Sequence, residues 1–407
     1  MEDIKYIPGG VTAPLGFTAN GICCGIRKNK LKPDLAMIFS EVCCTAAAVY
    51  TQNLVKGAPI YVTKENISDG FARAVICNSG IANTCNADGV EKAQGMCDIA
   101  AGALGLKRED IIVASTGVIG MPLNLEPVKN GINELVSGLG RDGSDRAAKA
   151  IMTTDTRKKE FAVEFELSGK KCRIGVISKG SGMINPNMAT MLGFITTDVK
   201  ISSDMLCDAL HEAVRDTYNM VSVDGDTSTN DMVSIMASGL ADNDEIIQKN
   251  GYYDKFVNAL YSLCKTVARE LARDGEGATK LVVCRTVGAA QKSVAKTVAK
   301  SVICSNLVKA AMFGADANWG RILCAIGYAG EDVDITKVDV KFISKKGELT
   351  VCVNGSGVYV DEGFAKELLS ENEIYIVCDL KSGDYEAEAY GCDLTYDYVK
   401  INGDYRT

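Results

Sequence analysis

A chain of 407 residues, 47% hydrophobic but only 6% aromatic and carrying 40 glycines, can bury one large core or two ordinary ones, so two lobes with many tight turns are expected. Its 52 acidic residues against 44 basic ones give a net charge of −8. No basic run or aromatic-interleaved basic patch occurs, which argues against nucleic acid as a partner. No apolar stretch approaches the roughly 18 residues that span a bilayer. The start MEDIKYIPGG has neither a basic nor an apolar leader segment, so a soluble, cytoplasmic protein with no membrane partner is expected.

In chain order, DLAMIFSE, ARAVICNSG and EDIIVASTG read as short apolar strands, each running into a polar or glycine-bearing turn. Leu125, Val128, Ile132, Leu135, Val136 and Leu139 recur at helical spacing, with Pro127 in the first turn where proline is tolerated. EFAVEFELSGKKCRIGVIS alternates strictly and turns at SGKK, which predicts an antiparallel hairpin. SSDMLCDALHEAVRDTYNMV reads as an amphipathic helix capped by Ser202 or Ser203, and a second helix is expected over Phe256 to Leu271. The C-terminal third is strand-rich: VDVKFISKKGELTVCVNG and NEIYIVCDLKSGDYEAEAYGCDLTYDYVKIN are each expected to form hairpins. The predicted class is α+β, with mixed α/β layers, no internal repeat and no long linker.

Sixteen cysteines are present without a C-x-x-C pair. Cys172, Cys284, Cys304, Cys352 and Cys378 lie in apolar or alternating runs and are read as buried, reduced thiols. With a single histidine in the chain, no metal site is expected. That histidine, His211, falls on a predicted helix and there is no G-x-S-x-G motif, which leaves a Ser-His-Asp triad without a basis. An enzyme without histidine can still activate a hydroxyl when the nucleophile is the first residue of a chain, because its own α-amine serves as base. An α-amine titrates near pH 7.7–8.0, against about 10.4 for lysine.

The segment GMINPNMATMLGF directs attention to Thr190. It follows the small residue Ala189, so its hydroxyl could attack the Ala189 carbonyl through a five-membered ring, giving an ester that water hydrolyses. The plain alternative is a strand threonine whose hydroxyl bonds backbone. The acidic run DGDTSTND, Asp224 to Asp231, lacks the glycine placement and later glutamate of an EF-hand loop, and reads as a hydrogen-bonding shell near a site. Neither G-x-x-x-x-G-K-[ST] nor a G-x-G-x-x-G opening a helix is present, so KGSG is not read as a nucleotide loop.

KGSGMINPNMATMLGFITTD closely resembles the self-cleaving segment of the ornithine acetyltransferase family, the bifunctional glutamate N-acetyltransferases of arginine biosynthesis. TAPLGFTANGI, ASTGVIG, IMTTDT, DGDTSTND, GEGATK, GADANWGR and INGDYRT resemble further family motifs in family order, so the resemblance spans nearly the whole chain. It implies cleavage between Ala189 and Thr190, giving an α chain of residues 1–189 and a β chain of residues 190–407 that begins with the nucleophile. It implies that Thr190 carries the acetyl group, and that Thr116 and Gly117 form the oxyanion hole. Substrate contacts implied in the same way are Thr153, Lys179, Thr190, Glu276, Asn402 and Thr407. A lysine and a glutamate suit the carboxylate and ammonium of an amino acid. The implied substrates are N-acetylornithine and glutamate, used in ping-pong order without a cofactor, and the implied assembly is a dimer of αβ units (α2β2); family members divide between those that only recycle the acetyl group and those that also take it from acetyl-CoA. The competing expectation is a related self-processing amidase or aminopeptidase, in which water resolves the acyl-enzyme.

Overall fold

The computed structural model describes residues 4–27, 29, 31–185 and 191–404. In chain order these form β1 (Lys5–Ile7), β2 (Phe17–Ile22), β3 (Leu35–Tyr50), α1 (Ala58–Asn66), β4 (Phe71–Ile81), α2 (Gly89–Leu104), β5 (Ile111–Val118), α3 (Glu126–Ser137), α4 (Ser144–Ala150), β6 (Lys159–Leu167), β7 (Lys170–Lys179), β8 (Leu192–Thr197) and α5 (Ser203–Arg215). They continue as β9 (Val221–Ser222), β10 (Met232–Ala237), α6 (Gly251–Arg273), β11 (Leu281–Ala289), α7 (Lys292–Cys304), α8 (Asn306–Phe313) and α9 (Trp319–Gly327). The last elements are β12 (Asp339–Ser344), β13 (Gly347–Val353), β14 (Ser356–Gly357), α10 (Glu362–Leu369), β15 (Glu373–Asp379), β16 (Tyr385–Cys392) and α11 (Tyr396–Gly403). The mixed α/β class expected from the sequence is the one observed. Among the described residues no helix is long and apolar enough to cross a membrane.

The chain divides into two compact units whose sequences interleave. One comprises residues 1–180, 186–219 and 227–267; the other comprises 181–185, 220–226 and 268–407. The first holds a sheet in the order β1-β6-β7-β8-β10-β3-β4-β5, with β2 also on β3. Pairings β8 with β10 and β4 with β5 are parallel, and the rest are antiparallel. β8 (LGFITT) and β10 (MVSIMA) are buried along their whole length, as apolar central strands should be. The three expected strands are β3, β4 and β5. The expected hairpin is β6–β7, joined through Ser168 and Gly169 with φ of 50° and 71°, the left-handed pair that a two-residue hairpin turn requires. Core side chains come from Phe17, Ile38, Ile177, Phe194 and Met236 together with the small residues Ala147, Ala148 and Ala150 of α4. A second cluster joins α2 and α3 to β4 and β5 through Met96, Ala100, Val128, Leu135, Ile76 and Val113. Alanine and glycine at these contacts explain how so few aromatic residues suffice: small side chains let helices approach the sheet closely.

The other unit holds the sheet β14-β13-β12-β15-β11-β16-β9. β12–β13 is the hairpin expected. The second expected hairpin is not formed. β11 lies between β15 and β16, parallel to the first and antiparallel to the second. The reason is burial: Leu281, Val282, Val283 and Cys284 of β11 are all buried, so this run takes a central position and the shorter-range pairing yields to it. The link from β15 to β16 wraps the end of β11, with Leu380 N–H donating to the Val287 carbonyl and Ser382 N–H to that of Gly288. Of the five cysteines read as buried, Cys304 is half-buried; it ends α7, with its Sγ 3.8 Å from Asn185 Oδ1. α5 starts at the Ser202 cap, whose hydroxyl accepts from Met205 N–H, and α6 runs beyond its expected limits at both ends.

Candidate functional site

Within the first unit the site is built on strand ends. β5 carries Thr116 and Gly117 at its C-terminal end, and β7 ends at Lys179. Lys179, 8% exposed, donates from Nζ to Thr116 Oγ1 at 3.3 Å. An ammonium can only donate, so the Thr116 oxygen accepts here and its hydroxyl proton remains to be given to another acceptor. Gly117 has φ 135°, and a Cβ there would overlap the Gly80 carbonyl carbon of the paired strand. Position 117 therefore demands glycine, both for its backbone angle and for the close approach. Thr116 and Gly117 are half-buried, a hydroxyl and a backbone amide held rigidly at a strand end.

Lys179 stands over a buried charge cluster that sequence reasoning did not single out. Asp155 is fully buried beside Lys159, with Oδ1 2.7 Å from Lys159 Nζ. The same Oδ1 accepts from Gly180 N–H at 2.7 Å, and Oδ2 accepts from Thr153 N–H at 3.0 Å. Asp155 thus ties the Thr153 backbone to the residue following Lys179. Burial alone would raise its carboxyl, but the Lys159 and Lys179 charges, the Lys159 hydrogen bond and the Gly180 amide outweigh it and hold the group well below the usual carboxylate range. Asp231 behaves oppositely. Burial pushes its carboxyl well up against a Ser228 hydrogen bond and the Lys179 charge, and its Oδ2 has no hydrogen-bond partner among the described residues. Burial disfavours charge on Asp231, while the Lys159 and Lys179 ammonium groups lie beside the Asp155 carboxylate, a balance that suits an anionic ligand group.

Register places the start of β8 against this cluster. Lys179 pairs across the sheet with Leu192, Leu192 pairs with Met232, and Met232 N–H donates to the Met191 carbonyl at 2.9 Å. Ala189 and Thr190, the expected cleavage pair and nucleophile, immediately precede Met191 in sequence and lie outside the described residues, as does Thr407.

The other unit gathers Glu276 and Asn402. Asn402 Nδ2 donates to Glu276 Oε2 at 2.8 Å. Glu276 is 6% exposed; its own N–H donates to the Ser181 carbonyl at 2.8 Å, and a Cβ on Gly182 would collide with its carboxylate. The glycines of KGSG and GEGATK therefore let two backbones close around one carboxylate. Gly277, at φ 68°, turns the chain, and Asp393 receives Thr279 N–H at 2.8 Å and Lys280 N–H at 2.9 Å, fixing the remainder of GEGATK. In the same unit Asp224, from DGDTSTND, accepts from the N–H groups of Met183 (2.6 Å) and Ile184 (2.9 Å). That carboxylate caps backbone; its nearest donors are amides. The later half of the motif belongs to the first unit, where Thr51 N–H donates to the Asp231 carbonyl and Gly57 N–H to that of Thr229. His211 is exposed on α5 with Nδ1 2.9 Å from the Cys207 carbonyl oxygen, the ordinary helix-surface role expected of it.

The structure thus joins Thr116, Gly117, Lys179 and Thr153 in one unit, and Glu276 with Asn402 in the other. Two signals for the missed residues were present in the sequence: an acid and a lysine four apart in DTRKK, and an asparagine beside an aspartate in DGDTSTND. Their burial was not.

A hydroxyl polarised by a buried ammonium, beside a glycine amide at a strand end, is equipment for stabilising an oxyanion in acyl transfer. The ArgJ family model matches residues 18–407. The arginine biosynthesis bifunctional protein ArgJ of Caldanaerobacter subterraneus subsp. tengcongensis is 47% identical over 405 residues, covering 99% of this chain and 100% of that protein. The protein of the same name from Symbiobacterium thermophilum is 49% identical over 406 residues, covering 99% and 100%, and ArgJ 1 of Clostridium acetobutylicum is 48% identical over 409 residues, covering 100% of each. The chain belongs to the ArgJ family.

Proposed function

We propose that this chain is a glutamate N-acetyltransferase of arginine biosynthesis that moves the acetyl group of N-acetylornithine to glutamate through an ester on Thr190. The observation that carries the reading is the Lys179–Thr116 hydrogen bond beside Gly117, at the strand ends next to which β8 begins. Cleavage between Ala189 and Thr190 gives the threonine a free α-amine. That amine takes the hydroxyl proton as Oγ attacks the acetyl carbonyl, and Thr116 and Gly117 donate to the oxyanion. Collapse breaks the amide C–N bond, and the amine of ornithine leaves with the proton. Glutamate then attacks the ester by the same steps in reverse order, regenerating the threonine hydroxyl. Lys179 meets the α-carboxylate of each amino acid, Glu276 the side-chain ammonium of N-acetylornithine, and Thr153, Asn402 and Thr407 complete the contacts. No cofactor is required, and the αβ units pair as a dimer; whether acetyl-CoA is a second acetyl donor is read by adding it in place of N-acetylornithine and looking for the same acetyl mass on the 190–407 chain.

Intact-mass analysis after adding N-acetylornithine alone tests the reading. Two chains, 1–189 and 190–407, with one acetyl added to the second are expected. An uncleaved chain with full activity, or rapid hydrolysis of N-acetylornithine that glutamate does not accelerate, would overturn it, the latter in favour of an amidase.

A further inference from the structure

Asn230, two residues before β10, is 7% exposed and has every hydrogen-bonding valence of its amide filled. Nδ2 donates to the carbonyls of Ala82 (2.6 Å) and Ser115 (3.0 Å). Oδ1 accepts from the hydroxyls of Thr84 (2.6 Å) and Thr229 (2.6 Å). Two donors and two acceptor sites are all that an amide offers. The room for this side chain is made by Gly57, where a Cβ would lie 2.5 Å from Nδ2.

The two carbonyls are not arbitrary. That of Ser115 belongs to the peptide whose N–H is Thr116, so gripping it fixes the plane from which the Thr116 side chain and Gly117 amide project. Ala82 leads out of β4, whose Gly80 pairs with Gly117, and the loops beyond are laced by Ala82 N–H to the Val118 carbonyl and Gly120 N–H to that of Thr84. Asn230 therefore holds both chains that flank the Thr116–Gly117 pair, from a segment that continues directly into β10, the strand beside Met191 and Leu192. A hydrophobic residue of equal size would leave two carbonyls and two hydroxyls without this partner.

We propose that Asn230 is a positioning residue for the oxyanion donors, acting through the Ser115 carbonyl to set where the Thr116 hydroxyl and Gly117 amide point. This rests on the reading of Thr116 and Gly117 as those donors. Asn230→Asp keeps the shape and an acceptor but removes both N–H donors, and Asn230→Ala removes everything.

The test compares Asn230→Asp, Asn230→Ala, Thr116→Ala and the double variant Asn230→Ala/Thr116→Ala, by rapid-quench acetylation of the 190–407 chain and by steady-state kcat and KM. Displacement of the donors by a fraction of an ångström to about 1 Å should lower kcat roughly 10- to 100-fold with KM within about twofold of wild type. The double variant should lose less than the product of the two single losses, because the Thr116 donor already removed cannot be mispositioned while the Gly117 amide still can. Where a variant stays uncleaved, its cleavage half-time is read under the same rule. If Asn230→Ala fails to fold, Asn230→Asp and Thr84→Val, which loses one bond to Oδ1, carry the comparison. Multiplicative losses in the double variant, a rise in KM at unchanged kcat, or wild-type rates in Asn230→Asp would overturn the proposal while Thr116→Ala is still slow. Wild-type rates in Thr116→Ala would overturn the donor reading itself.

Discussion

Replacing Asp155 by alanine deprives the buried Lys159 ammonium of its carboxylate, with both side chains at most 1% exposed in the wild type. Removing one member of a buried, hydrogen-bonded pair typically costs about 3–5 kcal/mol, most of it the penalty of leaving the other charge in a low-dielectric site. Two backbone amides, Thr153 and Gly180, lose their acceptor at the same time. For a unit of this size each kcal/mol moves the midpoint by about 2–4 °C, so a drop of roughly 6–20 °C is expected at pH 7. Asp155→Asn, which keeps one acceptor oxygen in place, should lose less. The pH dependence gives a second check. Asp155 is held well below the usual carboxylate range by Lys159 and Lys179 against the effect of burial, so its stabilisation is fully present above the unfolded value of about 3.9 and is lost as pH falls below that. Denaturant melts of wild type and Asp155→Ala should differ by a constant amount from pH 8 to 5 and converge below about pH 4. A difference under about 1 kcal/mol at pH 7, or one that widens in acid, would refute the argument.

Thr190→Ala should yield a single uncleaved, inactive 407-residue chain on denaturing mass spectrometry, while Thr190→Ser should still be processed. Thr116→Ala should slow acetylation and deacetylation of the enzyme alike by up to about 10²–10³, read by quenched-flow mass analysis, without changing the melting curve. Double-reciprocal plots with N-acetylornithine at several glutamate levels should be parallel; intersecting lines would mean direct transfer without an acetyl-enzyme. Lys300 is pushed down to about 8 chiefly by burial, partly opposed by Cys304, and donates to the Val221 carbonyl. A folded value below the unfolded one of about 10.4 means that the folded state binds fewer protons in that window, so stability gains as pH rises through it. Lys300→Met should abolish that gain in melts from pH 7.5 to 10.5.

The local elements were legible because their signals are local. Pro127 near a helix start, Ser202 as a cap, the alternation of Phe161 to Leu167 and the turn at Ser168-Gly169 all act over a few residues, and each element formed where those signals lie. The motif series was legible for a similar reason: ASTG at a strand end and the glycines of KGSG and GEGATK mark places where backbone must approach closely, and Gly117 and Gly182 do face the Gly80 carbonyl and the Glu276 carboxylate. What only the tertiary structure decided is pairing over distance. β11 displaced the β15–β16 hairpin because four consecutive buried residues outweigh the short loop that would have favoured it. Asp155 and Asp231 are both acids in polar sequence, yet two lysines hold the first carboxyl well below the usual range while burial pushes the second well above it. Asn230 reaches Ser115 across 115 residues of sequence. Desolvation and charge pairing depend on neighbours supplied by remote strands, and no periodicity in the chain records which neighbours those will be.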